Sequence, residues 1–379
     1  MTDRPLLERI DDYPLRIPFR VEFRHASASR AQTAAVLVRV RTANDVIGWG
    51  EGCPREYVTG ETVAGAREFI TRHREAVIRE IDNLASLRAW VESHSGEIDA
   101  NPAAWCALEL ALLDALARTG DRPLEALLGL PRVEAGFTYT AVIGSCGAEQ
   151  FGTTLQMYRE LGLDDFKIKL SGEMERDRAN IERLRAKAIP PDRVRADANN
   201  LWEGSEQAAA YLEQLDYPFY ALEEPLGAGQ MEELAALGSM LSVRIILDES
   251  LLRVQQIPEL AADPGRWIVN LRVSKMGGLL RSLNLAEQCR VYGIPVIVGA
   301  QVGETSVLTR AAVTVINAAG DIVVGAEGAF GTYLLESDPF EPSLMFGKGG
   351  RLDPNRLPAD QPGLGMSLRD AIGGYIDES

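Results

Sequence analysis

A regular alternation of short β-rich runs and helical stretches fills the chain after residue 133, and it constrains the fold more than any other feature. Eight such runs lie about 25 residues apart, the length of one strand and one returning helix. They are Tyr139–Ile143, Phe166–Leu170, Val194–Ala198, Tyr220–Glu223, Arg244–Asp248, Trp267–Arg272, Pro295–Ala300 and Ile322–Ala326. Because eight strand–helix units close a (β/α)8 or TIM barrel, we predict an α/β barrel over residues 133–337.

A doubly wound open sheet is the structural alternative. It normally has fewer strands and a Gly-rich phosphate turn, and the sequence has neither. The glycine-rich stretch Gly347–Gly350 lacks the spacing and context of a phosphate loop, so we interpret it as a turn. The pattern favours the barrel.

The first 132 residues have a different pattern. Apolar and polar residues alternate from Leu6 to Cys53, which predicts an antiparallel meander, and the period becomes helical from Gly60 to about Leu130. We therefore predict an α+β capping domain over residues 1–132. The Pro- and Gly-rich tail, residues 338–379, is expected to return to this domain.

Charge and cysteine content exclude several classes of protein. A formal net charge of -16 is unfavourable for binding nucleic acid or an anionic membrane, because both need clustered cationic residues. The four cysteines are scattered with no close pair, which favours neither a disulfide framework nor a zinc site and fits a reducing cytoplasm. The sequence contains no stretch typical of a signal peptide or a membrane span.

Charged residues follow five consecutive predicted strands at the positions where a TIM barrel carries its active site. These residues are Lys169 (with Lys167 before it), Asp197, Glu223, Asp248 and Lys275. Their successive spacings of 28, 26, 25 and 27 residues each equal about one strand–helix unit. We therefore expect them in one layer at the barrel mouth.

Three carboxylates on neighbouring strands predict a metal site. Asp197, Glu223 and Asp248 would converge, and carboxylates at close range repel one another unless a cation lies among them. Oxygen ligands with room for water and substrate suit Mg2+, with Mn2+ as a possible substitute.

The two lysines predict proton transfer. Lys169 and Lys275 lie four strands apart in a ring of eight, so they would approach a central ligand from opposite faces. Removal of a proton beside a carboxylate requires stabilisation of the enediolate, which a divalent cation provides. Lysine acts as a base only when its pKa is lowered, and we expect Lys167 and the metal to lower that of Lys169.

An ordinary interpretation of any one of these residues is a solvated charge in a loop. This interpretation does not explain five charged residues at the ends of five consecutive strands. Buried carboxylates without a counter-cation would cost several kcal/mol, and a purely structural role gives no reason to collect them.

The motifs Lys167-x-Lys169, Asp197-Ala-Asn199, Glu223-Glu-Pro225, Asp248-Glu-Ser250 and Lys275-x-Gly-Gly278 resemble the enolase superfamily, and within it the muconate-lactonizing-enzyme subgroup. The resemblance implies that Asp197, Glu223 and Asp248 bind Mg2+ and that Lys169 and Lys275 are the acid/base pair. It implies supporting roles for Lys167, Asn199 and Glu249, and a homo-oligomer. Glu223 is preferred to Glu224 because the family's ligand precedes the proline by two.

The histidines separate branches of this superfamily. The mandelate-racemase branch uses a histidine on a late barrel strand, whereas His25, His73 and His94 all precede the barrel. That branch is therefore disfavoured. We expect His73 and His94 on the surface.

Substrate contacts are expected from two capping loops and the last strand ends. The first loop contributes Phe23, His25 and Arg30 as candidates, and the second contributes Tyr57. Gln301 and Glu304 follow the seventh strand, and Glu327 follows the eighth. Dipeptide epimerases of the subgroup usually carry Asp-x-Asp after the eighth strand, so Glu327 argues against a standard dipeptide substrate.

The leading hypothesis is a racemase or epimerase of an N-acylated amino acid or related carboxylate. A lyase or cycloisomerase, of the muconate cycloisomerase or o-succinylbenzoate synthase type, shares the same enediolate and is the alternative. A metal-binding barrel without catalysis is a third hypothesis, against which the presence of both lysines and all three carboxylates argues.

Overall fold

The computed structural model describes residues 6–25, 28–134, 136–369 and 375, except the side chains of residues 21–30 and 354. The N-terminal strands are β1 (Leu7–Leu15), β2 (Pro18–His25), β3 (Ala28–Gln32), β4 (Ala35–Thr42) and β5 (Ile47–Gly52). The helices that follow are α1 (Glu56–Thr59), α2 (Val63–Glu80), α3 (Leu84–Ser93), α4 (Ser95–Ala100), α5 (Pro102–Thr119) and α6 (Leu124–Leu128).

The predicted meander is wrong in one respect. The antiparallel sheet has the order β1-β4-β5, while β2 and β3 pair only with each other and leave the sheet as a hairpin. The buried Thr33 hydroxyl closes the neck of this hairpin by accepting the Ile17 N–H at 2.7 Å and donating to the Leu15 carbonyl at 2.9 Å. This closure lets β1 and β4 remain neighbours across the insertion.

Helix α5 forms the centre of the N-terminal domain, with residues 102–117 all buried. It lies directly on β5 because Gly48, Gly50 and Gly52 face it with no side chain between. A Cβ at any of these three positions would collide with the backbone of α5 at Ala111, Ala107 or Ala103. The alternating glycines therefore bring strand and helix into backbone contact.

His73 is buried rather than on the surface as expected. Its ring lies 4.5 Å from that of Phe69 and 5.6 Å from that of Trp90. Residue 73 falls on the apolar face of α2, so packing against aromatic rings outweighs the polarity of its flanking residues.

The second region is an eight-stranded parallel barrel, which confirms the predicted fold class. Its strands are β6 (Ala141–Ile143), β7 (Phe166–Lys169), β8 (Val194–Asp197), β9 (Ala221–Glu223), β10 (Arg244–Leu247), β11 (Trp267–Leu271), β12 (Val296–Val298) and β13 (Val323–Ala326), hydrogen-bonded in chain order. A hydrogen bond of 2.8 Å from the Thr140 N–H to the Ala326 carbonyl joins the first strand to the last. Ala221, Ile246, Ile268 and Ile297 form a separate apolar cluster of strand residues.

The helices around the barrel are α7 (Ala148–Glu160), α8 (Met174–Ala186), α9 (Ser205–Leu215), α10 (Met231–Met240), α11 (Ile257–Leu260), α12 (Leu279–Tyr292) and α13 (Ser306–Ala318). Short 3-10 helices lie at Pro191–Arg193, Val254–Gln256, Pro264–Arg266, Gly331–Tyr333, Lys348–Gly350 and Pro354–Arg356. Within the described ranges, no helix is long and apolar enough to cross a membrane.

The C-terminal tail contains the antiparallel pair β14 (Phe340–Glu341) and β15 (Ser367–Leu368). It returns to the N-terminal domain through several contacts, including an aromatic pair and a buried hydrogen bond. The ring of Phe340 lies 6.2 Å from that of Trp49, and the Leu364 N–H donates to the buried Asp114 carboxylate at 2.7 Å.

Candidate active site

The charged residues at the barrel mouth lie in one layer because the strands that carry them are in register. Lys169 is paired with Asp197 across β7 and β8, and Asp197 is paired with Glu223 across β8 and β9. Asp248 follows β10 directly, and Lys275 follows β11 after a short turn. All five side chains are buried, with no more than 9% of each residue exposed.

Lys169 lies on one side of this layer. Its ammonium donates to Asp197 Oδ2 at 2.5 Å and to Asn199 Oδ1 at 2.7 Å. Asn199 adopts a left-handed backbone conformation with φ of 45°, and its N–H donates to the other oxygen of Asp197 at 3.0 Å. Asn199 therefore holds both members of the pair.

Lys275 lies on the opposite side and is fully buried. Its ammonium donates to Asp248 Oδ1 at 2.8 Å and to the carbonyls of Asp248 and Asn270 at 2.7 and 2.8 Å. Burial, helped by the guanidinium of Arg272, lowers the pKa of Lys275 to about 7. A neutral amine is thus accessible to this lysine near neutral pH.

Lys167 lies among carboxylates at the barrel mouth. Its ammonium lies 2.6 Å from Glu327 Oε2 and 3.1 Å from Glu223 Oε2. Burial alone would lower its pKa, but the charges of Glu223 and Glu327 raise it above the ordinary value. Lys167 is therefore a permanent cation whose charge is balanced by carboxylates.

The carboxylates of this layer differ in their environments. Burial would raise the pKa of Asp197, but the ammonium groups of Lys169 and Lys167 lower it to about 2. Burial and the neighbouring charge of Asp197 raise the pKa of Glu223, whose Oε1 accepts from Asn270 Nδ2 at 3.0 Å. Asp197 is therefore ionised across the physiological range.

Glu224, the competing choice to Glu223, faces another way. It has φ of 38°, and its carboxylate accepts from the N–H groups of Asp248 and Ser250 at 2.6 and 2.7 Å. Burial raises its pKa to about 7. Glu224 thus shapes the turn after β10 that carries Asp248, and it is Glu223 that faces Lys167.

Sequence reasoning missed two arginines. Arg272 contacts Asp248 Oδ2, lies 3.6 Å from Glu223 Oε1, and donates to Gln301 Oε1 at 3.0 Å. Arg195 donates to Glu327 Oε1 at 2.9 Å and to Asp165 at 3.0 Å. Strand alternation could have found both, because residues two apart in a strand face the same side. Arg195 is two residues before Asp197, and Arg272 is two residues after the inward-facing Asn270.

A cleft of about 1010 Å³ opens above this layer. It is lined by Tyr57, Glu249, Gln301, Glu304 and Glu327, all of which we had singled out. One oxygen of Glu249 is buried with no hydrogen-bond partner among the described residues, and burial with the nearby charge of Glu224 raises its pKa to about 8. Burial likewise raises the pKa of Glu304 to about 8.

The backbone of the first capping loop is described except at residues 26–27, and its side chains from residue 21 to residue 30 lie outside the described residues. Phe23 pairs with Arg30, and His25 with Ala28, across the β2–β3 hairpin, but the side chains of these candidate substrate contacts lie outside the described residues. The base of the hairpin is attached near the mouth, where the Arg20 N–H donates to the Leu334 carbonyl at 2.8 Å. The segment that contains Leu334 also lines the cleft, through Gly331, Tyr333, Leu334 and Leu335.

The donor set of Asp197, Glu223 and Asp248 fits a hard divalent cation, because it offers only oxygen and lies on adjacent strands. In this structure the guanidinium of Arg272 contacts two of the three. Over the described residues, no three acidic, histidine or cysteine side chains are arranged to hold an ion. Arg272 thus occupies the position of a counter-cation for Asp248 and Glu223.

Comparison with known proteins identifies the family and agrees with the fold. Residues 10–129 match the mandelate racemase/muconate lactonizing enzyme N-terminal domain, and residues 151–372 match the enolase C-terminal domain-like family. The hydrophobic dipeptide epimerase of Enterococcus faecalis is 26% identical over 78% of this chain and 83% of its own. The N-succinyl-L-Arg/Lys racemase of Bacillus cereus is 24% identical over 97% of this chain and 94% of its own.

A crystal structure of the dipeptide epimerase of Methylococcus capsulatus, complexed with Mg and the dipeptide L-Arg-D-Lys, has the same fold. It superposes with a TM-score of 0.80 at 27% identity, covering 96% of this chain and 99% of that one. The two family matches together extend over most of the sequence. The chain belongs to the mandelate racemase/muconate lactonizing enzyme family of the enolase superfamily.

Proposed function

We propose that this protein is a Mg2+-dependent racemase or epimerase that removes and returns the α-proton of an N-acylated amino acid or related carboxylate. The observation that carries this proposal is the placement of Lys169 and Lys275 on opposite sides of the Asp197, Glu223 and Asp248 carboxylates. A single base can exchange a proton on one face only, whereas two lysines on opposite faces allow inversion.

Asp197, Glu223 and Asp248 would hold the Mg2+, with Arg272 turned toward the cleft. When bound, Mg2+ supplies positive charge against the negative charge that develops on the substrate carboxylate. Relatives of known structure support this choice, since the epimerases from Methylococcus capsulatus and Enterococcus faecalis were both solved with Mg and a dipeptide.

The lysines carry the proton transfer. One lysine, as a neutral amine, accepts the proton as the α C–H bond breaks, and the electron pair passes into the enediolate. The other lysine, as an ammonium, donates a proton to the opposite face. Asn199 orients Lys169, and the carbonyls of Asp248 and Asn270 orient Lys275.

The state of Glu327 supports an N-acylated substrate over a dipeptide. A dipeptide carries an α-ammonium that needs an anionic partner, and the carboxylate after β13 is the position we would expect to provide it. Both Glu327 oxygens are already engaged, by Lys167 at 2.6 Å and Arg195 at 2.9 Å. An acyl group without charge next to the α-nitrogen requires no such partner. The similarity to an N-succinyl amino acid racemase over 97% of this chain is in line with this preference.

Incubation of the purified protein with Mg2+ and N-succinyl amino acids in deuterated water tests the proposal. We expect deuterium at the α-carbon and inversion with no change of the carbon skeleton, detected by NMR and chiral chromatography. A matched series of dipeptides should react more slowly. Loss of water, or ring closure or opening without α-exchange, would instead identify a lyase or cycloisomerase.

The variants Lys169→Ala and Lys275→Ala separate catalysis from metal binding. Each should lower racemisation on the order of 10²- to 10⁴-fold, the usual contribution of a general acid or base. Each should keep α-exchange of one enantiomer, because one lysine remains. Unchanged racemisation in both variants would mean that these lysines do not carry the reaction, and a wild type that binds Mg2+ but turns over no carboxylate would favour a barrel without catalysis.

We also propose a cytoplasmic homo-oligomer. No disulfide joins the four cysteines, all of which fall within the described residues, and this fits a reducing compartment. Light scattering of the purified protein would measure the oligomeric state.

A further inference from the structure

The segment that carries Lys275 is held by the N-terminal domain on both of its flanks. Before the lysine, the Cys53 N–H donates to the buried Ser274 hydroxyl at 2.8 Å. After it, the Leu280 N–H donates to Glu109 Oε1 at 2.9 Å. Cys53 follows β5 and Glu109 lies in α5, so the backbone-packed strand–helix pair of the N-terminal domain reaches both ends of residues 274–280.

Glu109 is fixed so that it can act as an anchor. The residue has no exposed surface, and its second oxygen accepts from Trp105 Nε1 at 3.0 Å. The Trp105 ring stacks on Trp90 at 4.3 Å, which restricts the indole in turn. Both oxygens of Glu109 therefore have a defined direction, one toward the N-terminal domain and one toward the start of α12.

Gly277 and Gly278, in the turn after Lys275, lie very close to the N-terminal domain. Gly278 has φ of +100°, and a Cβ there would lie 2.5 Å from Glu109 Oε1. Gly277 has φ of +79°, and a Cβ there would lie 2.9 Å from Ile98 of the N-terminal domain. The turn after the lysine accepts the Glu109 carboxylate because Gly278 has no side chain, and it packs against Ile98 because Gly277 has none.

Lys169 is held differently. It lies within β7, which is hydrogen-bonded along its length to β6 and β8, and the next residue, Leu170, donates to the Asp197 carbonyl at 2.9 Å. All of these partners belong to the barrel. The two lysines of the proposed reaction thus depend on different parts of the molecule.

We propose that Glu109 is a positioning residue for Lys275, so that the N-terminal domain controls proton transfer on one face of the substrate and leaves the other face to the barrel. This inference rests on the proposed function for its catalytic consequence, but the anchoring itself does not. Displacement of a reacting group by about 1 Å can cost on the order of 100-fold in rate. Loss of the anchor should therefore slow the Lys275 half-reaction selectively.

The test compares Glu109→Ala, Glu109→Gln and a matched control, Glu125→Gln. Glu125 is also a buried carboxylate of the N-terminal domain, and it holds the barrel through Arg310 Nη2 at 2.7 Å, far along the chain from Lys275. Glu109→Gln keeps a carbonyl oxygen for the Leu280 N–H and should be the milder change. Ser274→Ala tests the other flank independently.

The first measurement is amide hydrogen exchange followed by mass spectrometry, which does not depend on activity. Glu109→Ala should speed exchange in residues 272–280 relative to residues 166–171, while Glu125→Gln should leave that ratio as in the wild type. Unchanged exchange in residues 272–280 of a folded Glu109→Ala variant would overturn the inference.

The second measurement is α-proton exchange of each enantiomer of an N-acyl amino acid in deuterated water, with Lys275→Ala identifying the Lys275-dependent enantiomer. Glu109→Ala should slow that enantiomer about tenfold or more, and the other by less than about twofold. Glu109→Gln should show a smaller bias in the same direction. Equal slowing of both enantiomers would show a general structural role and overturn the proposal. A wild type that exchanges neither enantiomer, with the amide exchange behaving as expected, would reject the proposed function and leave the anchoring in place.

Discussion

Two groups of buried carboxylates in this protein differ in what balances them. The mouth carboxylates Asp197, Glu223, Asp248 and Glu327 contact the side-chain cations of lysines and arginines. The capping carboxylates Glu51, Glu61 and Glu109 accept from backbone N–H groups at the starts of helices α13, α5 and α12. Lysine and arginine carry a full positive charge, whereas a backbone N–H carries only a partial one. The mouth carboxylates and the capping carboxylates therefore differ in how readily they take up a proton.

The contrast is visible in the pKa values. Although burial opposes it, the ammonium of Lys169 lowers the pKa of Asp197 to about 2, and Lys167 does the same for Glu327. Burial raises the pKa of Glu51 and of Glu109 to about 7. Asp197 and Glu327, which lysine ammonium groups face, therefore stay charged. Glu51 and Glu109, whose hydrogen-bond donors are neutral, can take up a proton near neutral pH. Glu223 is intermediate, because burial and the charge of Asp197 raise its pKa despite Lys167.

The largest effect that follows from this contrast concerns activity. Asp197→Asn removes a proposed metal ligand and the partner of Lys169, so we expect turnover to fall on the order of a thousandfold, since several kcal/mol of charge stabilisation are lost. Glu61→Gln is the matched change among the capping carboxylates. It should lower stability by about 1 kcal/mol and leave turnover within about twofold. If the two variants lost activity equally, the proposed difference in function between the mouth carboxylates and the capping carboxylates would be wrong.

The second effect concerns pH and stability. The pKa of Glu51 in the folded protein is about 7 against an ordinary 4.5, so the folded state binds its proton more tightly. Its contribution to stability is therefore complete below pH 4.5 and is lost as the pH rises through 7. For a fully buried group this shift amounts to about 3 kcal/mol.

The measurement is the free energy of unfolding of wild type and Glu51→Gln in denaturant from pH 4.5 to pH 8. The stability of the wild type relative to the variant should fall over this range. A constant difference would mean that the Thr305 and Leu308 N–H groups at the start of α13 keep Glu51 ionised, and the capping carboxylates would then resemble those at the mouth.

The third and smallest effect concerns Arg272, the side-chain cation that contacts both Asp248 and Glu223. Arg272→Met should lower Tm without metal, because two mouth carboxylates lose their counter-charge. It should enlarge the rise in Tm on adding Mg2+, corresponding to roughly tenfold tighter binding or about 1.4 kcal/mol. Isothermal titration calorimetry with Mg2+ provides a second measurement. Weaker Mg2+ binding in this variant would mean that Arg272 assists the metal rather than competing with it.

Most of the barrel and the strand-end residues could be predicted from the sequence because both follow from local periodicity. Asp197 and Glu223 each end a β-rich run, and the spacing of one strand–helix unit places them in one layer. The same rule of alternation would have found Arg195 and Arg272, had it been applied to arginines as well as to the residues at the strand tips.

The capping carboxylates could not be predicted because their partners are remote. Glu109 and Leu280 are 171 residues apart, and Glu51 and Thr305 are 254 apart. Within a buried apolar helix, a single glutamate gives no indication of which backbone N–H it will meet. The ion pair between Lys167 and Glu327 was missed for the same reason, since the two residues are 160 apart in the sequence.

The glycines of β5 have a wider consequence. Because no side chain separates β5 from α5, the two elements pack as one unit. From this β5–α5 pair, Glu109 and Glu51 accept hydrogen bonds from the starts of helices α12 and α13. The β2–β3 hairpin belongs to the same domain but is not part of this pair. The hairpin can therefore change in sequence without disturbing the β5–α5 pair that holds the segment of Lys275.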